Sequence, residues 1–235
     1  MSIKSLMIYF FKDYKRSNKY IPPLLAYMIL MGVVYAVKPC YVMTSYTATC
    51  IIIYIIAAWI SVTFVDSEDI VQQQLTILHF KKENLYYLGK IAFVYFLILI
   101  LSVITVFYPI LLGCFIRKIY TLDIVIAFMS HAVIGLLGTA LGGLFNSRII
   151  KDKKIVVLFL SAILLVSIIR NPLVQVLPVF KWITVILPPV YLTIDKLSSI
   201  DYVNLQNSVG VMYTLAAAVI YSIILIFVFI KRCVK

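Results

Sequence analysis

Six runs of 15 to 24 residues in this chain consist almost wholly of apolar side chains, and they decide what the chain can fold into. They are Ile21 to Val37, Ala48 to Val65, Ile91 to Leu112, Leu122 to Phe145, Ile155 to Ile169 and Val209 to Ile230. A helix needs roughly 20 apolar residues to cross about 30 Å of hydrocarbon. It also satisfies its backbone polar groups internally, as a lipid-embedded segment must. The runs therefore predict an all-α integral membrane protein, a single domain over residues 1–235 with six transmembrane helices. Composition agrees: 64% of the 235 residues are hydrophobic and 13% charged, about half the charged share of a soluble domain.

The net charge of +12 would suit nucleic acid in a soluble protein. Here the bases lie in short segments between apolar runs, where they set orientation in the bilayer, and no nucleic-acid partner is expected. With the N-terminus in the cytosol, the inner segments carry Lys4, Lys12, Lys15, Arg16 and Lys19, then Lys81, Lys82 and Lys90. They continue with Arg148, Lys151, Lys153 and Lys154, then Lys231, Arg232 and Lys235. That is 15 of the 21 Lys and Arg; Lys38, Arg117, Lys118, Arg170, Lys181 and Lys196 remain outside. Six spans with both termini cytosolic follow. The N-terminal lysines precede an apolar run, as in a signal peptide. No small-residue cleavage site follows Val37, so the segment is read as mature sequence.

Two further segments shape the architecture. In residues 1–19, Ile3, Leu6, Met7, Phe10 and Tyr14 share one helical face while Lys4, Lys12, Lys15 and Arg16 lie largely off it, the pattern of a helix lying in the membrane interface. Ser17-Asn18 loosen the chain, and Pro22-Pro23 suit the first turn of the next helix. Within the outer segment, residues 171–200, Asn171 to Ile194 is apolar enough to mimic a seventh span. Pro172, Pro178, Pro188 and Pro189 break that segment, however, and Lys181 sits within it. It is read as short helices at or dipping into the outer surface, surface-lying or re-entrant. The four cysteines form no C-x-x-C pair. Cys40, Cys50 and Cys114 share the outer face, which leaves a disulfide possible.

Between the second and third runs lies Asp66 to Lys90, DSEDIVQQQLTILHFKKENLYYLGK. Ser67 can cap a helix there, with Glu68 and Asp69 in its first turn, where the helix dipole favours acids. Val71, Leu75 and Leu78 make an apolar stripe, and Gln72, Gln73 and Thr76 point elsewhere. The helix ends near Lys81-Lys82, and Asn84 can cap the next. An amphipathic helix over 66–83, held in the cytosol between two spans, either rests on lipid headgroups or docks into a soluble partner.

The order of elements is basic interfacial helix, two spans, cytosolic amphipathic helix, three spans, a proline-broken outer segment containing Leu187-Pro188-Pro189, and a last span with a basic tail. It resembles the permease subunits of ATP-binding-cassette transporters of the type-2 export group over nearly the whole chain. Glu68, Leu75, Leu78 and Lys90 match that family's coupling-helix pattern of an acidic start, spaced leucines and a lysine where the third span begins. Lys82-Glu83-Asn84 stand where the family often has Pro-Ser. The resemblance implies that Glu68, Asp69, Val71, Gln74, Leu75, Leu78 and His79 contact a cytosolic ATP-binding cassette subunit. It also implies a second permease copy or a related permease as partner, within membrane lipid. ATP and magnesium belong to the ATPase: no G-x-x-x-x-G-K-[ST] occurs here, and Gly89-Lys90 lacks the upstream glycine. No cofactor is expected in this chain.

His131, in the fourth run, is either a transport or proton group or a neutral histidine bonded to a neighbouring helix. Arg170 and Lys181 either line the outer mouth, facing an anionic or peptide substrate, or anchor to headgroups. Gly135, Gly138, Gly142 and Gly143 permit close helix approach within the subunit, and Asp123 is suited to capping the fourth span. His79 and His131 fall on different sides, with no clustered carboxylates and no G-x-S-x-G, so neither a metal site nor catalytic residues are expected. Small permeases of this kind resemble bacterial systems that expel antimicrobial or toxic peptides or confer immunity to them. The expectation is thus a bacterial cytoplasmic-membrane exporter subunit, with a peptide as substrate and lipid or a hydrophobic drug next. A stand-alone immunity or scaffold protein without an ATPase is the alternative.

Overall fold

The computed structural model describes residues 3–80, 82–146, 152–177, 187–200 and 202–234. Ten helices span them: α1 (Ile3–Ser17), α2 (Ile21–Val34), α3 (Val42–Val65), α4 (Ile70–Phe80), α5 (Glu83–Leu111), α6 (Thr121–Leu144), α7 (Lys153–Ile168), α8 (Arg170–Val176), α9 (Val190–Ser198) and α10 (Leu205–Cys233). α3, α5, α6 and α10 are long and apolar enough to cross a membrane. The protein is thus an all-helical, multi-pass membrane protein.

The remaining two expected spans differ from the sequence reading. α7 is followed at Ile169 by a 76° bend into α8, so this pair makes a fifth span only if the bent helices are taken as one. α2 has 14 residues, which at about 1.5 Å each reach about 21 Å, short of the hydrocarbon thickness. Its register nonetheless carries it between the two ends of the bundle. Tyr20, just before it, packs on Tyr14 of α1, while Tyr35, just after it, packs on Tyr108 and Phe115 at the opposite end. Midway, the Tyr27 hydroxyl meets Thr105 Oγ1 at 2.8 Å.

α3 and α6 form the centre: 67% and 72% of their apolar windows are buried, against 44% for α5 and 28% for α10. Two glycines explain how closely they pack. A Cβ at Gly138 would lie 2.4 Å from the Tyr54 carbonyl oxygen, and one at Gly142 would lie 2.3 Å from that of Ala58. Only hydrogen fits against backbone at that range, and the contact is internal to the chain, as a small-residue seam permits. Ser61 Oγ adds a hydrogen bond to the Thr139 carbonyl at 2.8 Å.

α1 turns the stripe expected to face lipid into the protein. Leu6, Phe10 and Tyr14 are buried in the protein, with Phe10 and Tyr14 edge-on to Phe64 of α3 and Phe10 edge-on to Tyr86 of α5. The stripe read as lipid-facing thus packs on protein, because the ends of α3 and α5 offer it an aromatic wall. Ile3, Ile8 and Phe11 are the apolar side chains that α1 leaves exposed. Asn18 takes the left-handed conformation (φ 54°) at the α1–α2 turn, which Asn tolerates better than most residues, and Pro22-Pro23 open α2.

At the opposite end, Cys40 pairs in parallel with Phe115, through Cys40 N–H to Cys114 O at 2.8 Å and Ile116 N–H to Cys40 O at 3.0 Å. All four cysteines are free. Short helices α8 and α9 occupy part of the proline-broken segment as expected; Lys181 lies outside the described residues.

Candidate functional site

The segment from Asp66 to Phe80 is a turn followed by a shorter helix than 66–83. Asp66 ends α3, and Asp69, not Ser67, caps α4, its carboxylate accepting from Val71 N–H at 2.9 Å. Ser67 instead donates to the Phe64 carbonyl and to Asp13 of α1. Asn84 falls inside α5, which begins one residue earlier at Glu83.

α4 turns a mixed stripe inward and leaves a second, apolar stripe outside. Gln73 and Phe80 are buried, with Thr76 and Ile77 half-buried between them, one helical stripe set inward at spacings of three and four. Val71, Leu75 and Leu78 are 64%, 54% and 71% exposed, and Gln74 lies with them on the outside. Ile70, at the helix start, is also exposed. Several large apolar side chains sharing one exposed helical face is the pattern of an interaction surface. His79 is exposed too, its Nδ1 bonded to the Leu75 carbonyl of its own helix at 2.9 Å.

What holds this helix is Glu68. Its carboxylate and the Lys90 ammonium lie 3.0 Å apart, with side chains 2% and 1% exposed. Glu68 also accepts from the hydroxyls of Tyr9 (2.6 Å), Tyr86 and Thr76 (3.3 Å). Lys90 sits 5.2 Å from the Tyr86 ring centre and 3.4 Å from the Val65 carbonyl. The buried Glu68–Lys90 pair therefore ties together α1, the end of α3, α4 and α5. Gln72 extends the network by donating to the Tyr9 hydroxyl at 2.9 Å. Burial, then the bond to Glu68, pushes the Tyr9 hydroxyl up to about 12, so it stays neutral and donating at ordinary pH. A cavity of about 90 Å³ lies beneath α4, with Glu68, Gln73, Tyr87 and Asn146 among its walls.

Sequence reasoning placed Glu68 and Lys90 in the segment but not against each other, and it missed Tyr9 and Tyr86. A lysine eight residues into an apolar helix, with a carboxylate just before α4, is a signal for such a pair, since a buried charge is rarely left without a partner.

The other candidate residues do not gather. His131 is fully buried, with Nδ1 2.6 Å from the Ala127 carbonyl and Nε2 2.9 Å from Thr49 Oγ1. The carbonyl requires a proton on Nδ1, while Thr49, whose hydroxyl also meets the Tyr46 carbonyl at 3.1 Å, holds the other ring nitrogen. The ring is thus bonded to a neighbouring helix, α3. Arg170 stacks on Tyr191, 4.1 Å from the ring centre, and donates to Asn171; Asn171 in turn donates to Asp195. Asp123 accepts from Tyr120 N–H at 3.0 Å, as a helix cap does. It also holds Arg117 in a two-point contact at 2.6 and 3.0 Å, a pairing the sequence did not reveal. Among the described residues, no group of three His, Cys, Asp or Glu side chains is arranged to hold a metal ion.

No protein family, curated protein or solved structure matches the chain.

Proposed function

We propose that the chain is the membrane-spanning subunit of an ATP-driven exporter and that α4 is the helix on which a separate cytosolic ATPase docks. The observation that carries this reading is the exposed stripe of Val71, Leu75 and Leu78, set on a helix held by the buried Glu68–Lys90 pair. A helix merely covering the bundle would turn its leucines inward. This one turns Gln73, Thr76, Ile77 and Phe80 inward and keeps both of its leucines out. The anchor makes the helix a stiff lever: a partner pressing on α4 also presses on α1, α3 and α5 through that pair.

In this account the chain crosses a bacterial cytoplasmic membrane six times with both termini in the cytosol. α2 is a short span, and the α7–α8 pair is a bent one. The basic residues concentrated at the α1 and α4 end support that orientation. A second permease copy or a related permease completes the path, ATP and magnesium are bound by the ATPase, and a peptide is the cargo. The test is export by Leu75→Asp and Leu78→Asp variants. Both side chains are more than half exposed, so the variants insert and fold like wild type, and export is abolished. Export that persists in correctly inserted double variant would remove α4 from coupling and favour a stand-alone membrane protein.

A further inference from the structure

At the elbow between α1 and α2 a groove of about 280 Å³ runs between Phe11, Tyr14, Tyr20, Leu24, Phe93 and Leu97, with Lys15 contributing to its wall. The Tyr14 hydroxyl is turned to Thr63 Oγ1 at 3.1 Å, so that residue offers the groove its ring and not its polar end. The surroundings are basic: Lys12, Lys15 and Arg16 are exposed on the last turns of α1. The single acid of α1, Asp13, accepts from Ser67 of the α3–α4 turn. On its outer side α1 exposes Ile8 and Phe11 between Lys4 and Lys12, the distribution of a helix seated among lipid headgroups.

We infer that this groove holds an acyl chain of an anionic phospholipid whose phosphate rests against Lys15. An apolar slot asks for a ligand with no hydrogen bonds to satisfy, and an adjoining ammonium asks for negative charge; a phospholipid supplies both in one molecule. A partner's helix, about 10–12 Å across with its side chains, does not fit so small a space. The lipid would wedge the elbow, fixing the angle at which α1 leaves the bundle.

The test incubates the full chain, purified in mild detergent, with equal amounts of phosphatidylglycerol and phosphatidylcholine and counts bound lipid by native mass spectrometry. Wild type retains phosphatidylglycerol over phosphatidylcholine by roughly fivefold, the contribution of one lysine near anionic headgroups. Lys15→Ala removes the preference, and Lys4→Ala, at the far end of α1, keeps it. Leu24→Trp fills the groove and lowers retention of both lipids by roughly tenfold or more, as losing the burial of two or three methylenes implies. Leu97→Trp does the same from α5, should the α2 variant fail to fold. Excess inorganic phosphate leaves the lipid bound. Equal retention of the two lipids by wild type would overturn the inference, as would wild-type retention in both tryptophan variants. Displacement by phosphate would reduce the site to a bare anion contact, and dimer loss in Leu24→Trp with lipid unchanged would assign the groove to a second copy of the chain.

Discussion

Replacing Glu68 with glutamine removes the charge opposite Lys90 while keeping the side chain's length, and the structure sets how much that costs. At an effective dielectric of about 20, unit charges at the observed 3.0 Å attract by about 5.5 kcal/mol. Removing the two ions from water costs several kcal/mol each, so the intact pair contributes little net stability. The cost appears when one partner is left alone, and the two sides are unequal. In Glu68→Gln, Lys90 loses its ion-pair partner and keeps the amide oxygen, the Val65 carbonyl, the Tyr86 ring and the weaker pull of Asp13 and Asp66, and a loss of about 3–5 kcal/mol is expected. In Lys90→Met, the carboxylate still accepts from Tyr9, Tyr86 and Thr76. Such charge-assisted bonds are worth about 1.5–3 kcal/mol each, so the expected loss is smaller, about 1–3 kcal/mol. The double variant leaves a neutral amide among hydroxyls and loses little beyond Lys90→Met. The cycle therefore closes with a coupling of about 2 kcal/mol or more, well outside the additivity of independent sites. Equilibrium unfolding in mixed micelles, followed by circular dichroism, measures all four proteins. Additive single losses, or a Lys90→Met loss exceeding that of Glu68→Gln, would refute the reasoning.

Other expectations rest on separate contacts. Gly142→Ala sets a methyl group against the Ala58 carbonyl, whereas at Gly210 an added Cβ meets nothing within 4 Å. The first should cost about 1–3 kcal/mol in the same unfolding assay, and the second is its control, with no steric cost. Thr49→Val keeps the shape but leaves His131 Nε2 without its partner, for a loss of about 1–3 kcal/mol. Tyr9 has a folded pKa near 12 against an ordinary value of 10.0, so the stability from its neutral hydroxyl is fully present below pH 10 and is lost as pH rises through 12. The difference in unfolding midpoint between wild type and Tyr9→Phe should accordingly hold at pH 9 and shrink toward pH 12.

The sequence makes the long helices legible because apolar length is a one-dimensional signal: α3, α5, α6 and α10 each cover one of the six runs, although α3 and α5 begin six and eight residues before theirs. α2 and α7 fall short because hydropathy does not show where a chain turns; the α2 run continues through Tyr35 to Val37, but the helix stops at Val34. Amphipathic stripes mark a buried side without saying what buries it. The stripe of α1 meets Phe64 and Tyr86 where lipid was expected, and that of α4 stays exposed among the described residues. Glu68 reads as a helix-start acid, since the helix dipole explains it locally. Its partners come from Tyr9 and Tyr86, 59 positions before it and 18 after it, and no local pattern links them.

The measurement that bears most directly on the account is co-purification of the tagged protein from its native cells in mild detergent, with mass spectrometry of what accompanies it. Burying Leu75 and Leu78 against a partner is worth about 3 kcal/mol together, more than roughly a hundredfold in affinity. The account predicts an ATP-binding cassette subunit with the wild type, and its loss from the Leu75→Asp, Leu78→Asp variant with insertion unchanged. Absence of that subunit under conditions that preserve a known transporter of this class would contradict the account, as would its retention by the variant.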